Sequence, residues 1–357
     1  MLSPREAVRT LPSYHPPLAG RNGLRLDFNE NTVGCSPRVL ECLRRLDPEQ
    51  LARYPERGPV EATVAQFLGI APPELLLTNG VDEAIHLLCE TYLEAGDEAL
   101  IVVPTYSMYR IYAMAAGAKL VSVSTSKDFL FPTDDVCGRI SPRTRLIAIA
   151  NPNNPTGTVV PREDLLRIAR SAPNAAVLVD EAYFEFYGQS MLGACNGFGN
   201  LFLARTFSKA YGMAGLRVGV LAGNAEQMRA VRRVSSPYNV NAVALACLPE
   251  ALGDQAYIER YVAEVRDSRT RLEQALESLG LQFWPSQANF VLARVGAPTS
   301  FVEHMRRRGI LVRDRSTDHG CEGCVRITLG PREHADRLLT ALQETCDELD
   351  IAQGARR

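Results

Sequence analysis

Between about residues 75 and 222 the chain repeats one unit: a short apolar run, a turn, and usually a segment of helical length. The runs "ELLLTNG", "EALIVVP", "RLIAIANP", "AAVLVDEAY", "NLFLARTFS" and "RVGVLAG" are brief and apolar without alternation, as strands covered on both faces are. "VDEAIHLLCETYLEAGD" has apolar residues at helical spacing and acids in its first turn, and "SMYRIYAMAAG" also reads as helix. "PREDLLRIARSA" carries proline where a helix start tolerates it. This alternation predicts an α/β fold with a mostly parallel sheet sandwiched by helices.

After about residue 224 the rhythm changes. "YIERYVAEVRDSRTRLEQALESLG" reads as a long helix ending on a glycine. "ANFVLARV", "TSFVEHMRRRG", "ILVRD", "CVRITLG" and "REHADRLLTALQETCDEL" then predict a smaller α/β unit. The expected division is an N-terminal arm and small-unit segment over 1–45, a large unit over 46–245 and a small C-terminal unit over 246–353. The closing "GARR" reads as a frayed tail.

A length of 357 residues accommodates two such units. A formal net charge of -2 leaves no basic footprint for nucleic acid or an anionic membrane, so the expected partners are small molecules. No apolar run reaches the ~18 residues of a membrane span, and "MLSPREAVRTLPSYHPP" has no secretory apolar core. The 9 scattered cysteines fit reduced thiols and a cytoplasmic location. Cys321 and Cys324 have CxxC spacing with His319 nearby, but no fourth ligand follows at matching spacing. The expectation is two loop thiols and no metal.

Parallel sheets bind ligands at the carboxyl ends of their strands. After "ELLL" come Thr78, Asn79 and Gly80 and a helix start, whose backbone N–H groups suit an anion. After "LIAIA" comes the stiff polar loop "NPNNPTG". Asp180 follows "AAVLV", with Tyr183 close behind, and "LFLAR" is followed by Thr206, Ser208 and Lys209. Each has an ordinary reading alone: a turn, a helix cap, a packing phenol, a surface lysine. Together they suit an aldehyde cofactor held as a Schiff base. Pyridoxal phosphate fits, with an amine for its aldehyde, an acid for its ring nitrogen, and hydroxyls, N–H groups and an arginine for its phosphate.

"TFSKAYGMAGLRVG" resembles the lysine motif of fold-type I aminotransferases, and "NPNNPTG" and "VDEAY" resemble the other two signatures, in the same order. "LDFNENTVGCSP", "ARYPE", "TNGVDEAI", "PTYSMYRIYA", "SQANFVL" and "CVRITLGPRE" are similar to the histidinol-phosphate aminotransferase branch, from about residue 11 to 350. The resemblance implies that Lys209 binds the pyridoxal phosphate aldehyde and moves the substrate proton. Asp180 would pair with the ring nitrogen, Tyr183 and Asn154 would bond its phenolic oxygen, and Tyr106 would stack on the ring. Thr206, Ser208, Arg217 and the backbone at Gly80, Val81 and Asp82 would hold the phosphate, with Tyr54 reaching in from the second subunit of a homodimer. Arg326, Arg313, Tyr14 and Asn239 would face the substrate. The chain departs from the branch at Thr32 and Cys35, where proline is usual, and at Ser13, which intervenes between Pro12 and Tyr14.

The implied reaction moves an amino group from L-histidinol phosphate to 2-oxoglutarate in histidine biosynthesis. Aromatic amino-acid transamination and threonine-phosphate decarboxylation use similar scaffolds. A cofactor-binding regulator would carry a DNA-binding segment ahead of the match. A nicotinamide dehydrogenase would need G-x-G-x-x-G after its first strand, which is absent in that setting.

Overall fold

The structure is a computed structural model describing residues 2–9, 11 and 20–351. Its strands, in chain order, are β1 (Leu24–Arg25), β2 (Leu75–Thr78), β3 (Glu98–Val103), β4 (Lys119–Ser124), β5 (Thr144–Ala150), β6 (Ala176–Asp180) and β7 (Leu201–Thr206). They continue with β8 (Gly219–Gly223), β9 (Phe283–Trp284), β10 (Phe290–Arg294), β11 (Ile310–Leu311), β12 (Arg313–Asp314) and β13 (Cys324–Thr328).

Seven strands form one sheet in the order β2-β8-β7-β6-β5-β3-β4. Its parallel block runs from β4 to β7, while β8 is antiparallel to both β2 and β7. Every residue of β2, β6, β7 and β8 is buried, which explains their unbroken apolar text. Alternate side chains feed two cores. Leu178 and Phe202 pack with Leu88 and Tyr109 on one face; Val177, Val179 and Leu203 pack with Leu165 and Ile168 on the other. β4 escapes a search for apolar runs because it is an edge strand, with only Val123 buried.

The second sheet, β12-β13-β10-β9, is antiparallel throughout. β1 pairs in parallel with β11, which brings the segment around Leu24 to the C-terminal part of the chain. One apolar cluster runs through both parts, containing Leu75 and Val220 from the large sheet and Phe290 and Ile327 from the small one. The long helix Gln255–Ser278 ends as expected at Gly280, whose φ of 69° lets Leu281 N–H turn back to Leu276 C=O.

Candidate active site

The carboxyl ends of β2, β3, β5, β6 and β7 open onto a cavity of about 700 Å³. Asp180 closes β6 and is buried in the wall. Its carboxylate accepts Tyr109 O–H at 2.5 Å and Ala182 N–H at 3.0 Å. Burial outweighs these bonds and pushes the carboxyl up to about 6. Tyr183, also buried, accepts a bond at its hydroxyl from Asn29 Nδ2 at 2.9 Å.

Lys209 follows β7, lines the same cavity and donates from Nζ to Phe28 C=O at 3.0 Å. Nζ stands 5.9 Å from the centre of the Tyr183 ring. Burial, then the charges of Arg326 and Arg217, lower the amine to about 8. A useful fraction is therefore neutral, and nucleophilic, near physiological pH.

The helix Gly80–Tyr92 starts where β2 ends, and Asn79 makes no side-chain cap, so its first N–H groups are available to a ligand. Gly80 has φ +76°, and a Cβ there would stand 2.7 Å from Arg217 Nη2. Arg217 itself is left-handed at φ 52°, as is Asn29 at φ 55°. Two unfavourable backbone positions thus flank one cavity, the usual sign of geometry held for a ligand. Arg217 Nη1 is 3.5 Å from Ser208 Oγ, and Thr206 Oγ1 accepts Ser208 N–H at 3.1 Å. Asp82 contributes more than backbone: its carboxylate pairs with Arg217 at 3.2 Å and accepts Tyr106 O–H at 2.8 Å.

At the opposite end lies Arg326, buried on β13. It donates to Asn154 Oδ1 at 2.5 Å and Asp27 C=O at 2.7 Å, while its Nε has no partner. Burial and the neighbouring guanidiniums of Arg315 and Arg313 lower its pKa to about 10. Arg313 sits 5.2 Å over the Phe28 ring.

Of the expected residues, Lys209, Asp180, Tyr183, Asn154, Tyr106, Thr206, Ser208, Arg217, Val81, Asp82, Arg313 and Arg326 line this cavity, and Gly80 adjoins Arg217. Tyr14 lies outside the described residues. Tyr54 is 78% exposed and stacks on Tyr238 at 4.3 Å, away from the cavity. Asn239 is corrected: it is not in the cavity wall but binds Leu77 C=O at 2.9 Å and Glu83 Oε2 at 2.7 Å, which fixes the end of β2 to the following helix. Cys321 and Cys324 are buried and pack with Phe129, Trp284 and Leu292. The sequence reading missed Tyr109, Asn29 and Arg315. Tyr109 had a signal, since it falls in the first turn of the helix expected just after the strand end that carries Tyr106.

The seven-stranded sheet with its one reversed strand, together with the lysine-bearing cavity, places the molecule among the pyridoxal phosphate enzymes of fold type I. The match is narrower than that class. The chain belongs to the family of aminotransferases class I and II, whose model spans residues 21–342. It is 34% identical to histidinol-phosphate aminotransferase of Thermoanaerobacter sp. (strain X514), over 90% of this chain and 92% of the relative. The corresponding enzyme of Roseobacter denitrificans is 38% identical, over 89% and 90%. The crystal structure of histidinol-phosphate aminotransferase from Sinorhizobium meliloti in complex with pyridoxal-5'-phosphate superposes with a TM-score of 0.87. It is 25% identical, and the match covers 96% of this chain and 97% of that one.

Proposed function

We propose that this transaminase moves an amino group between L-histidinol phosphate and 2-oxoglutarate, using pyridoxal phosphate, as a step of histidine biosynthesis. The observation that carries the reading is the buried Arg326, with an unpartnered Nε and Arg313 beside it, at the end of the cavity away from the Arg217 nest. A guanidinium binds carboxylate and phosphate with the same fork, which suits an enzyme whose two amino carriers end differently. The relatives named histidinol-phosphate aminotransferase support histidinol phosphate as the amino carrier.

The residues fit the cofactor: a buried acid, a depressed amine and an uncapped helix start with an arginine meet in one cavity. Pyridoxal phosphate bound here supplies an aldehyde and an electron-withdrawing ring. Asp180 holds the proton on the ring nitrogen, oriented by Tyr109. Tyr183 and Asn154 bond the phenolic oxygen, and Tyr106 flanks the ring. Thr206, Ser208, Arg217 and the backbone at Gly80, Val81 and Asp82 grip the phosphate. Lys209 would hold the cofactor aldehyde and, as the amine nearest the substrate, would move the proton to and from its α-carbon. Arg326 and Arg313 orient the substrate, with Tyr14 from the arm.

The reading includes a cytoplasmic homodimer, in which the exposed Tyr54 reaches the partner's phosphate site. It also includes the division at residues 45 and 245, supported by the pairing of β1 with β11. Among the described residues no helix is long and apolar enough to cross a membrane.

The test is steady-state kinetics with histidinol phosphate beside phenylalanine, with carbon dioxide release monitored. A higher kcat/KM for phenylalanine, or decarboxylation without an oxo acid, overturns this assignment. Lys209→Ala should lose the near-visible absorbance band of the wild type and about 10²–10⁴-fold of its activity.

A further inference from the structure

Arg313 on β12 and Arg326 on β13 stand directly opposite one another in an antiparallel pair. Like charges in that register repel, so the arrangement calls for a counter-charge. A third guanidinium makes the demand stronger. Arg315 lines the same cavity, two residues beyond Arg313, and its charge acts on both Arg326 and Tyr183. Its side chain is only 16% exposed, and its Nε is buried with no partner.

One carboxylate answers this cluster from within its own loop. Asp318 forms an ion pair with Arg315, and its charge also acts on Arg326. Glu30, the other acid near this end, is already paired with Arg21 at 2.7 Å, and Arg21 also takes Asp27. With Arg21 shared between Asp27 and Glu30, four arginines face three carboxylates, a surplus of one positive charge at this end of the cavity.

The loop is a fixed platform. Asp318 N–H bonds Arg315 C=O at 2.9 Å, Cys321 N–H bonds Asp318 C=O at 3.0 Å, and Arg315 N–H bonds Cys324 C=O at 3.0 Å. Cys321 and Cys324 anchor it in the small cluster with Phe129 and Trp284. The CxxC spacing thus serves packing, and holds Arg315 and Asp318 at the cavity rim.

We propose that Arg315 is a specificity-determining residue, a third cation that matches the cavity to a substrate whose distal group is a phosphate dianion, with Asp318 setting how strongly that anion is held. The proposal rests on the transaminase reading above and adds to it the residue that separates a phosphate-ended donor from an uncharged one. A phosphate carries a charge of about -1.5 to -2 at neutral pH and three acceptor oxygens, which answer the positive cluster and the unpartnered Nε atoms of Arg315 and Arg326. A neutral aromatic ring would leave those donors buried and unsatisfied.

The experiment compares the holoenzyme with Arg315→Gln and Asp318→Asn. It measures KM for histidinol phosphate and for phenylalanine, and inhibition of phenylalanine turnover by inorganic phosphate. Arg315→Gln should raise KM for histidinol phosphate and Ki for inorganic phosphate about tenfold or more, leaving KM for phenylalanine within about twofold. Asp318→Asn should lower Ki for phosphate. Equal changes for both donors in Arg315→Gln mean that Arg315 only holds the loop, and overturn the proposal. So does weaker phosphate inhibition in Asp318→Asn, which decides the matter if the first variant does not fold. Wild-type enzyme that ignores histidinol phosphate overturns the functional reading instead. The role of Arg315 is then read from inorganic phosphate, whose unchanged Ki in Arg315→Gln would overturn it separately.

Discussion

Tyr109 and Asp180, one on the helix Ser107–Ala115 and the other at the end of β6, share a 2.5 Å hydrogen bond inside the cavity wall. The phenol donates, and this bond is the largest influence holding the Asp180 carboxyl down against burial. Tyr109→Phe should raise the carboxyl above about 6 and deprive the ring nitrogen of part of its counter-charge. The expected result is an approximately tenfold weaker hold on pyridoxal phosphate, equivalent to about 1.4 kcal/mol, measured by absorbance titration.

Lys209 supplies a pH dependence. Its amine titrates near 8 in the folded chain and near 10.5 when unfolded. Between those values the unfolded chain binds more protons, so stability of the cofactor-free protein rises with pH across that window. Urea midpoints at pH 8 and pH 10 should show the rise in wild type and lose it in Lys209→Met. Uptake of the cofactor aldehyde should be half-maximal near pH 8, and Arg326→Gln should move that midpoint upward because one repelling charge is gone.

Asn29 ties the N-terminal segment to both parts of the molecule, donating to Tyr183 and accepting Thr328 O–H at 2.9 Å. Asn29→Ala removes both bonds and forces alanine to φ 55°, a combined cost of about 2–4 kcal/mol that thermal unfolding would report. Asn29→Gly keeps the backbone comfortable. The difference between the two variants isolates the strain.

Gly80→Ala places a methyl against the Arg217 guanidinium. The arginine tip gives way, and the loss falls on phosphate binding. The ratio of Kd values for pyridoxal and pyridoxal phosphate should move toward one, with stability lower by about 1 kcal/mol.

The strand ends that carry Asp180, Lys209 and the helix start at Gly80 were legible in the sequence because apolar runs mark buried strands, and chemistry follows their carboxyl ends. The antiparallel direction of β8 was not legible, since an apolar run has no polarity. β4 was hidden by its exposed edge. Asn29 depends on contacts between distant parts of the chain, which no local pattern encodes. Asn239 was read as facing substrate when its amide bridges β2 and a helix start. The family resemblance that suggested Asn239 did not distinguish the wall of the cavity from the scaffold behind it.

The bond from Asn29 N–H to Thr328 Oγ1 spans 299 positions of the chain, and β1 has no partner until β11 exists. During synthesis the ribosome delivers the lysine-bearing sheet well before Arg326, so Phe28 and Asn29 must wait for the last tenth or so of the polypeptide before they settle over Lys209. Long-range closure of this kind is slow. A prematurely terminated product would therefore display the amine without Arg326, whose charge helps to depress it, and with Phe28 C=O not yet held against it.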